Sequence, residues 1–172
     1  MTTLPRRASL IALATAVPLL MASGIAQGAP ATYTHEAAAR EFRAAGISWT
    51  SSKNCSNRRD SGCTSFTGIN RTTVSGAIAF KRASHCAVII TGGTEEGHST
   101  RGKHTHGNGY KVDMALVKKH KNDVPCLDRY ITGHYAKAGT RGDGAALYKS
   151  PDGNVYARES SHWDVTYLNG KA

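Results

Sequence analysis

The chain predicts an α+β fold: a small antiparallel sheet that carries the candidate site, with helices packed on one side. Three observations carry that expectation. Segments with helical spacing of apolar residues cluster early, and short alternating segments cluster late. Between them, a glycine-interrupted stretch, His106-Gly-Asn-Gly-Tyr-Lys-Val-Asp113, brings metal-ligating residue types together.

The chain opens on a leader. Arg6 and Arg7 precede an apolar run from Ala8 to Ala22, and small residues follow through Ala26 and Gly28. This is the layout of a secretory signal peptide over 1–28, and it leaves 29–172 as a single secreted domain with one core. The run is too short and too rich in alanine to favour a membrane span. The arginine pair also belongs to twin-arginine export, although Ser9 stands where that signal prefers phenylalanine.

Thr34 can cap a helix through His35 to Gly46, with Ala38, Phe42 and Ala45 on one face and Gly46 as its stop. Ile47 to Ser51 reads as a short strand, and Ser52 to Thr64 as a polar loop. Thr67 can cap a second helix from Gly68 to Ser84, with Ile69, Thr73, Ala77 and Phe80 at helical spacing. Cys86 to Thr91 reads as a buried strand. Gly109 to Leu116 reads as another, with Tyr110, Val112 and Met114 on one face and Lys111 and Asp113 on the other. Asp123 can cap a helix with Val124 and Pro125 in its first turn, running to Tyr135. Lys137 to Gly144 reads as a loop. Ala146 to Ser150 and Asn154 to Arg158 form a hairpin around Pro151-Asp152-Gly153. His162 to Tyr167 alternates as a last strand, with Trp163, Val165 and Tyr167 inward and His162, Asp164 and Thr166 on the opposite face.

Four cysteines, Cys55, Cys63, Cys86 and Cys126, follow the leader, and an even count there predicts two disulfides. Three pairings are possible. Cys55–Cys63, closing the polar loop, and Cys86–Cys126, tying a strand to a later helix, are preferred. No Cys-x-x-Cys pair supports a cysteine zinc site.

The sequence has 22 Lys and Arg against 12 Asp and Glu, a net charge of +10. Without Arg6 and Arg7 the balance is 20 against 12, or +8. A positive exported protein suits an anionic surface such as teichoic acid or peptidoglycan carboxylates, or simply a soluble surface. No nucleic-acid motif is present and the basic residues are scattered, so no specific nucleic-acid partner is expected. The domain is expected to be a monomer.

His106 and Asp113 are seven residues apart. On a helix that separation is about 10.5 Å, whereas zinc ligands bond at about 2.0–2.2 Å. A bend is needed. Gly107 and Gly109 permit positive φ, and Asn108 tolerates it. Far downstream, Glu159-Ser-Ser-His162 offers a third ligand in His162, with Glu159 three residues before it. Two histidines and a carboxylate with a fourth position open describe a catalytic zinc site, and a nearby glutamate is the usual general base. His104 lies two residues before His106, so on a strand both share a face and His104 is an alternative ligand.

The pattern His-x-x-Gly-x-x-x-Asp followed by Glu-x-x-His resembles that of the zinc D-alanyl-D-alanine carboxypeptidases and dipeptidases. That family includes phage endolysins that cut the peptide stems of bacterial cell wall. The resemblance runs from Ile89 to Tyr167. It implies one zinc ion held by His106, Asp113 and His162, with Glu159 as the catalytic base, and a cell-wall peptide containing D-alanine as substrate. It implies the same α+β fold.

The chain departs from the family at three places. His104 stands where a small hydroxyl residue is usual, and Lys111 where alanine is usual. Thr91-Gly-Gly-Thr-Glu95 lacks the arginine that often polarises the scissile carbonyl. Arg58 and Arg59, on the polar loop, read as solvated charges but can also supply it. His98 and Arg71 are weaker candidates for substrate contact, and His98 can also serve as an acid. Asp164 can orient a ligand histidine through its free ring nitrogen.

The hedgehog-type signalling domain resembles the same family and keeps such a zinc cage. The alternative expectation is therefore a non-catalytic, zinc-stabilised secreted module that binds wall polymer or a partner protein. A metal-dependent nuclease using His104 and His106 is the third.

Overall fold

Thr34 begins the first helix as its spacing predicts. Its hydroxyl accepts from the Ala37 N–H at 3.2 Å, and α1 (His35–Ala44) buries Ala38, Ala39 and Phe42. Gly46, with φ +71°, ends it. The computed structural model describes residues 31–171 apart from 119 and 122, so the expected leader lies outside the described residues. β1 (Ser48–Trp49) follows, and then the loop that Cys55–Cys63 closes.

The second helix starts later than Thr67 suggests. α2 (Arg71–Ser84) is preceded by Gly68 at φ +82° and by Asn70 at the cap position. The capping role expected of Thr67 does not survive the tertiary contacts: Thr67 O accepts from the Thr94 hydroxyl at 2.8 Å, and Asn70, now at the cap position, donates its side-chain amide to Asn108 O at 2.9 Å. Ile69 is buried all the same. On the sheet side of α2, a Cβ on Gly76 would come within 2.3 Å of a Tyr167 ring carbon, so the helix backbone rests directly on that ring.

The remaining elements are β2 (Ile89–Gly92), β3 (Lys111–Ala115), α3 (Cys126–His134), β4 (Ala136–Thr140), β5 (Ala146–Lys149), β6 (Val155–Arg158) and β7 (His162–Thr166). The expected small antiparallel sheet is in fact seven-stranded and mixed, in the order β1-β2-β3-β7-β6-β5-β4. Only β1 and β2 run parallel, joined through α2; the other neighbours are antiparallel.

Asp123 does not cap α3. Its carboxylate accepts from the His120 N–H at 3.0 Å, and the helix starts after Pro125. β4 occupies residues expected to be loop. All five are exposed and they pair only with β5, so alternation gave no signal there. The hairpin of β5 and β6 turns at Pro151-Asp152-Gly153 as expected.

One core gathers the inward faces of all three helices and of the sheet. Val112, Met114, Trp163, Val165 and Tyr167 are fully buried, and Phe42, Phe66, Phe80 and Ile131 meet them. Asp128 on α3 accepts from Trp163 Nε1 at 2.8 Å and from Arg158 Nε at 2.7 Å, which ties that helix to two strands. Both disulfides form as paired above, Cys55–Cys63 and Cys86–Cys126. They fit an oxidising environment. Among the described residues no helix is long and apolar enough to cross a membrane.

Candidate metal centre

The alternation that sends Val112 and Met114 inward sends Lys111 and Asp113 to the opposite face of the sheet. The same alternation on β7 sends His162 and Asp164 there. The register places Asp113 directly opposite Asp164 and Ala115 opposite His162. Two carboxylates facing each other across neighbouring strands repel unless cations intervene.

Asp164 has its cations. Lys111 donates to its two oxygens at 3.1 and 2.8 Å, and Arg141 donates to Oδ2 at 2.7 Å. Burial alone would raise its pKa; the His106 and Lys111 contacts outweigh burial and hold it well below the usual carboxylate range. Asp113 is different. Its Oδ1 is buried and has no hydrogen-bond partner. It faces His106 Nε2 at 3.3 Å and His162 Nε2 at 3.5 Å.

His106 reaches this point through a turn. Gly109 N donates to His106 O at 2.8 Å, and of the three residues expected to allow the bend only Gly109 has a positive φ, +77°. A Cβ there would also lie 2.4 Å from Gly68 O. The ring is held from behind: Nδ1 donates to Gly93 O at 2.6 Å, which leaves Nε2 facing Asp113. Burial would depress the imidazolium, but the Asp113 and then the Asp164 carboxylates hold its pKa up at about 9.

His98, expected as a substrate or acid residue, belongs to the same cluster. Its ring stacks on His106 with centroids 3.7 Å apart. Its Nε2 donates to the buried Glu95 carboxylate at 3.0 Å, and its Nδ1 lies 3.8 Å from Asp113 Oδ2. Glu95 also accepts from Ser65 N at 2.7 Å and from Gly93 N at 2.9 Å. Burial would raise its pKa, but the His98, Ser65 and Gly93 donors together lower it. His98, His106 and Asp113 each offer a ligand atom, and these atoms lie within 4.8 Å of one another. This buried group can hold one metal ion. The sequence does carry the signal for His98, in Glu95 three residues before it.

Glu159 lies beside His162. Its N–H donates to His162 O at 3.0 Å, and its Oε2 is 3.4 Å from His162 Nε2. Oε1 accepts from Arg141, which also binds Asp143 and Asp164. Arg141 escaped the sequence reading because the loop carrying it has no spacing relation to either motif; only the antiparallel hairpin brings it in. The weaker candidates do not join the cluster as ligands: His104 lines the cleft around it, and Arg58 reaches only the backbone beside it. Arg71 stacks on the Tyr33 ring at 4.6 Å and lines neither cavity. Arg58 donates to backbone carbonyls. His104 packs edge-on against Tyr110 at 4.6 Å and is exposed.

The cluster opens into a cleft of about 950 Å³ that holds His106, Asp113, Glu159 and His162. Gly97, His98 and Ser99 are shared with an adjoining cleft of about 860 Å³. Comparison of the chain with protein-family models, curated proteins and solved structures finds no match.

Proposed function

We propose that the protein is a secreted zinc-dependent peptidase acting on D-alanine-containing peptides of the bacterial cell wall. The resemblance drawn from the sequence motifs supports the substrate class. One structural observation carries the metal: the buried Asp113 Oδ1, without a hydrogen-bond partner, flanked by two imidazole nitrogens. Oxygen and nitrogen donors of that kind suit zinc, with His106, Asp113 and His162 as ligands. Zinc at such a site supplies Lewis acidity toward a peptide carbonyl.

The chain's own residues supply the rest. Gly93 O fixes the His106 tautomer, so the ring presents Nε2. Arg141 holds Glu159 Oε1, which leaves Oε2 on the His162 side as the oxygen that takes and returns a proton. Arg141 and Lys111 balance Asp164, so that carboxylate orients neighbours without competing for the proton. The two disulfides suit the export that the leader predicts. Glu159→Gln is expected to keep zinc and lose hydrolysis of purified peptidoglycan by at least a hundredfold. A variant that hydrolyses at the wild-type rate removes Glu159 as the base.

One observation favours a second reading, a non-catalytic zinc-stabilised module that binds wall polymer or a partner protein. His98 Nδ1 faces Asp113 Oδ2, so four protein donors are at hand, as in closed structural sites. Release of new amino groups from peptidoglycan, stopped by a chelator, selects the peptidase. Binding to intact wall without release selects the module.

A further inference from the structure

The loop closed by Cys55–Cys63 touches the cluster through one side chain. Arg58 Nε donates to Thr94 O at 3.2 Å, and its Nη2 donates to Gly107 O at 2.5 Å. Its own carbonyl accepts from the Glu96 N–H at 2.8 Å. Gly107 directly follows His106, while Thr94 and Glu96 flank Glu95, whose carboxylate holds His98. A single guanidinium therefore joins the two backbone segments that present His98 and His106. Its planar fork reaches two carbonyls at once, which a lysine ammonium cannot reproduce with the same geometry.

Arg58 is in turn held by its loop. It sits between the two bridged cysteines, eight residues apart. Within the loop Lys53 pairs with Asp60 at 2.9 Å, Cys63 N donates to Asp60 O at 3.0 Å, and Thr64 N donates to Cys55 O at 3.2 Å. Lys53 and Asp60 are partly exposed, so that pair contributes little on its own. The covalent bridge is what keeps so polar a segment, without apolar side chains of its own, in one conformation. The second bridge, Cys86–Cys126, lies on the core side and joins the approach to β2 with the start of α3.

We propose that Arg58, held in place by the Cys55–Cys63 disulfide, is a positioning residue for the metal centre, so that the chain reaches its full metal affinity only when this disulfide is formed. The proposal rests on reading the His98, His106, Asp113 and His162 cluster as a metal centre. It makes metal retention conditional on oxidation: the reduced chain holds the ion weakly and the oxidised chain holds it tightly. The two disulfides divide the work, one serving the centre and the other the stability of the fold.

The test is zinc affinity, measured by competition with a chromogenic chelator. It uses the full secreted chain as wild type, Arg58→Ala, Arg58→Lys, Cys55→Ser/Cys63→Ser and Cys86→Ser/Cys126→Ser. Thermal melts of the metal-free proteins run beside it. Groups that orient metal ligands typically change affinity by about 10–100-fold. Arg58→Ala and the Cys55/Cys63 pair are expected to weaken zinc by that factor, with Arg58→Lys recovering only part of it. The Cys86/Cys126 pair is expected to melt earlier yet bind zinc within about threefold of wild type. Arg58→Ala with wild-type affinity overturns the proposal, as does a Cys86/Cys126 loss equal to that of the Cys55/Cys63 pair. If the Cys55/Cys63 pair does not fold, the two Arg58 variants decide with the disulfide intact. A wild-type chain that takes up no zinc removes the metal centre itself, which is a different failure from an unaffected Arg58→Ala.

Discussion

Replacing Gly92 by alanine adds one methyl group directly against the Asp113 carboxylate. Gly92 lies on β2, paired with Asp113, and its φ is not left-handed, so alanine fits the backbone there. The new Cβ would lie 2.4 Å from Asp113 Oδ2 and 3.0 Å from His98 Cε1. Side-chain Cβ contacts below 3.0 Å essentially do not occur, so the carboxylate must retreat by roughly 0.6 Å or more, against a tolerance of about 0.2 Å in metal–ligand distances. Overpacking of this kind costs about 1–3 kcal/mol of stability, while the displaced ligand is expected to weaken zinc at least about tenfold.

Gly107→Ala is the matched control. It lies next to His106, has no positive φ, and its Cβ would find only Thr105 Oγ1, at 3.9 Å. Zinc affinity by chelator competition and thermal melts of the metal-free variants separate the two effects. Gly92→Ala with affinity within twofold of wild type would falsify the placement of Asp113 in the centre. Equal losses in both variants would do the same, because they would show a general sensitivity of the segment.

Further outcomes are expected elsewhere in the molecule. Glu95→Gln keeps the volume but turns an N–H donor toward Ser65 N, Gly93 N or His98, costing about 2–4 kcal/mol in urea unfolding and loosening His98; an unfolding midpoint equal to wild type would remove Glu95 as its anchor. Asp128→Ala strips the buried Trp163 N–H and Arg158 of their shared acceptor, so α3 should dock less firmly, with a loss of about 2–4 kcal/mol by the same assay. A chelator should lower the melting temperature of wild type, since a ligand at a hundred times its dissociation constant contributes about 2.7 kcal/mol. The same chelator should leave His106→Ala unmoved; an equal drop in both would locate the ion elsewhere.

Much of the architecture follows from local rules visible in the chain. Thr34, Ala38 and Phe42 state the first helix, Pro151-Asp152-Gly153 states the hairpin, and the alternation from His162 to Tyr167 states which side chains face inward. The disulfide pairing follows from one polar loop and one strand-to-helix tie. What local rules miss is decided by contacts between distant segments. Asn70 and Thr67 serve the turn at Asn108 and the Thr94 hydroxyl, so α2 begins at Arg71. β4, with the sequence Ala-Lys-Ala-Gly-Thr, has neither β-branched density nor a buried face, and only its partner β5 makes it a strand.

The site divides in the same way. One turn brings His106 to Asp113, and one strand register brings His162 to the same carboxylate; the His106-to-Asp113 spacing already suggested the turn, but not the register. Gly107 resembles a hinge in sequence, yet Gly109 alone takes the left-handed turn. Glu95 stands three residues before His98, a spacing visible in sequence, but the loop that pins Glu95 through Ser65 is not. Arg141 enters only through a hairpin and has no fixed spacing to either motif.

Metal analysis of the protein, purified without added metal or chelator, puts the cluster itself on trial. One zinc per chain is expected, retained through dialysis and lost from His106→Ala and His162→Ala. A folded wild-type chain that arrives without metal and takes up none from micromolar zinc would show that these imidazoles and this carboxylate meet for some other reason.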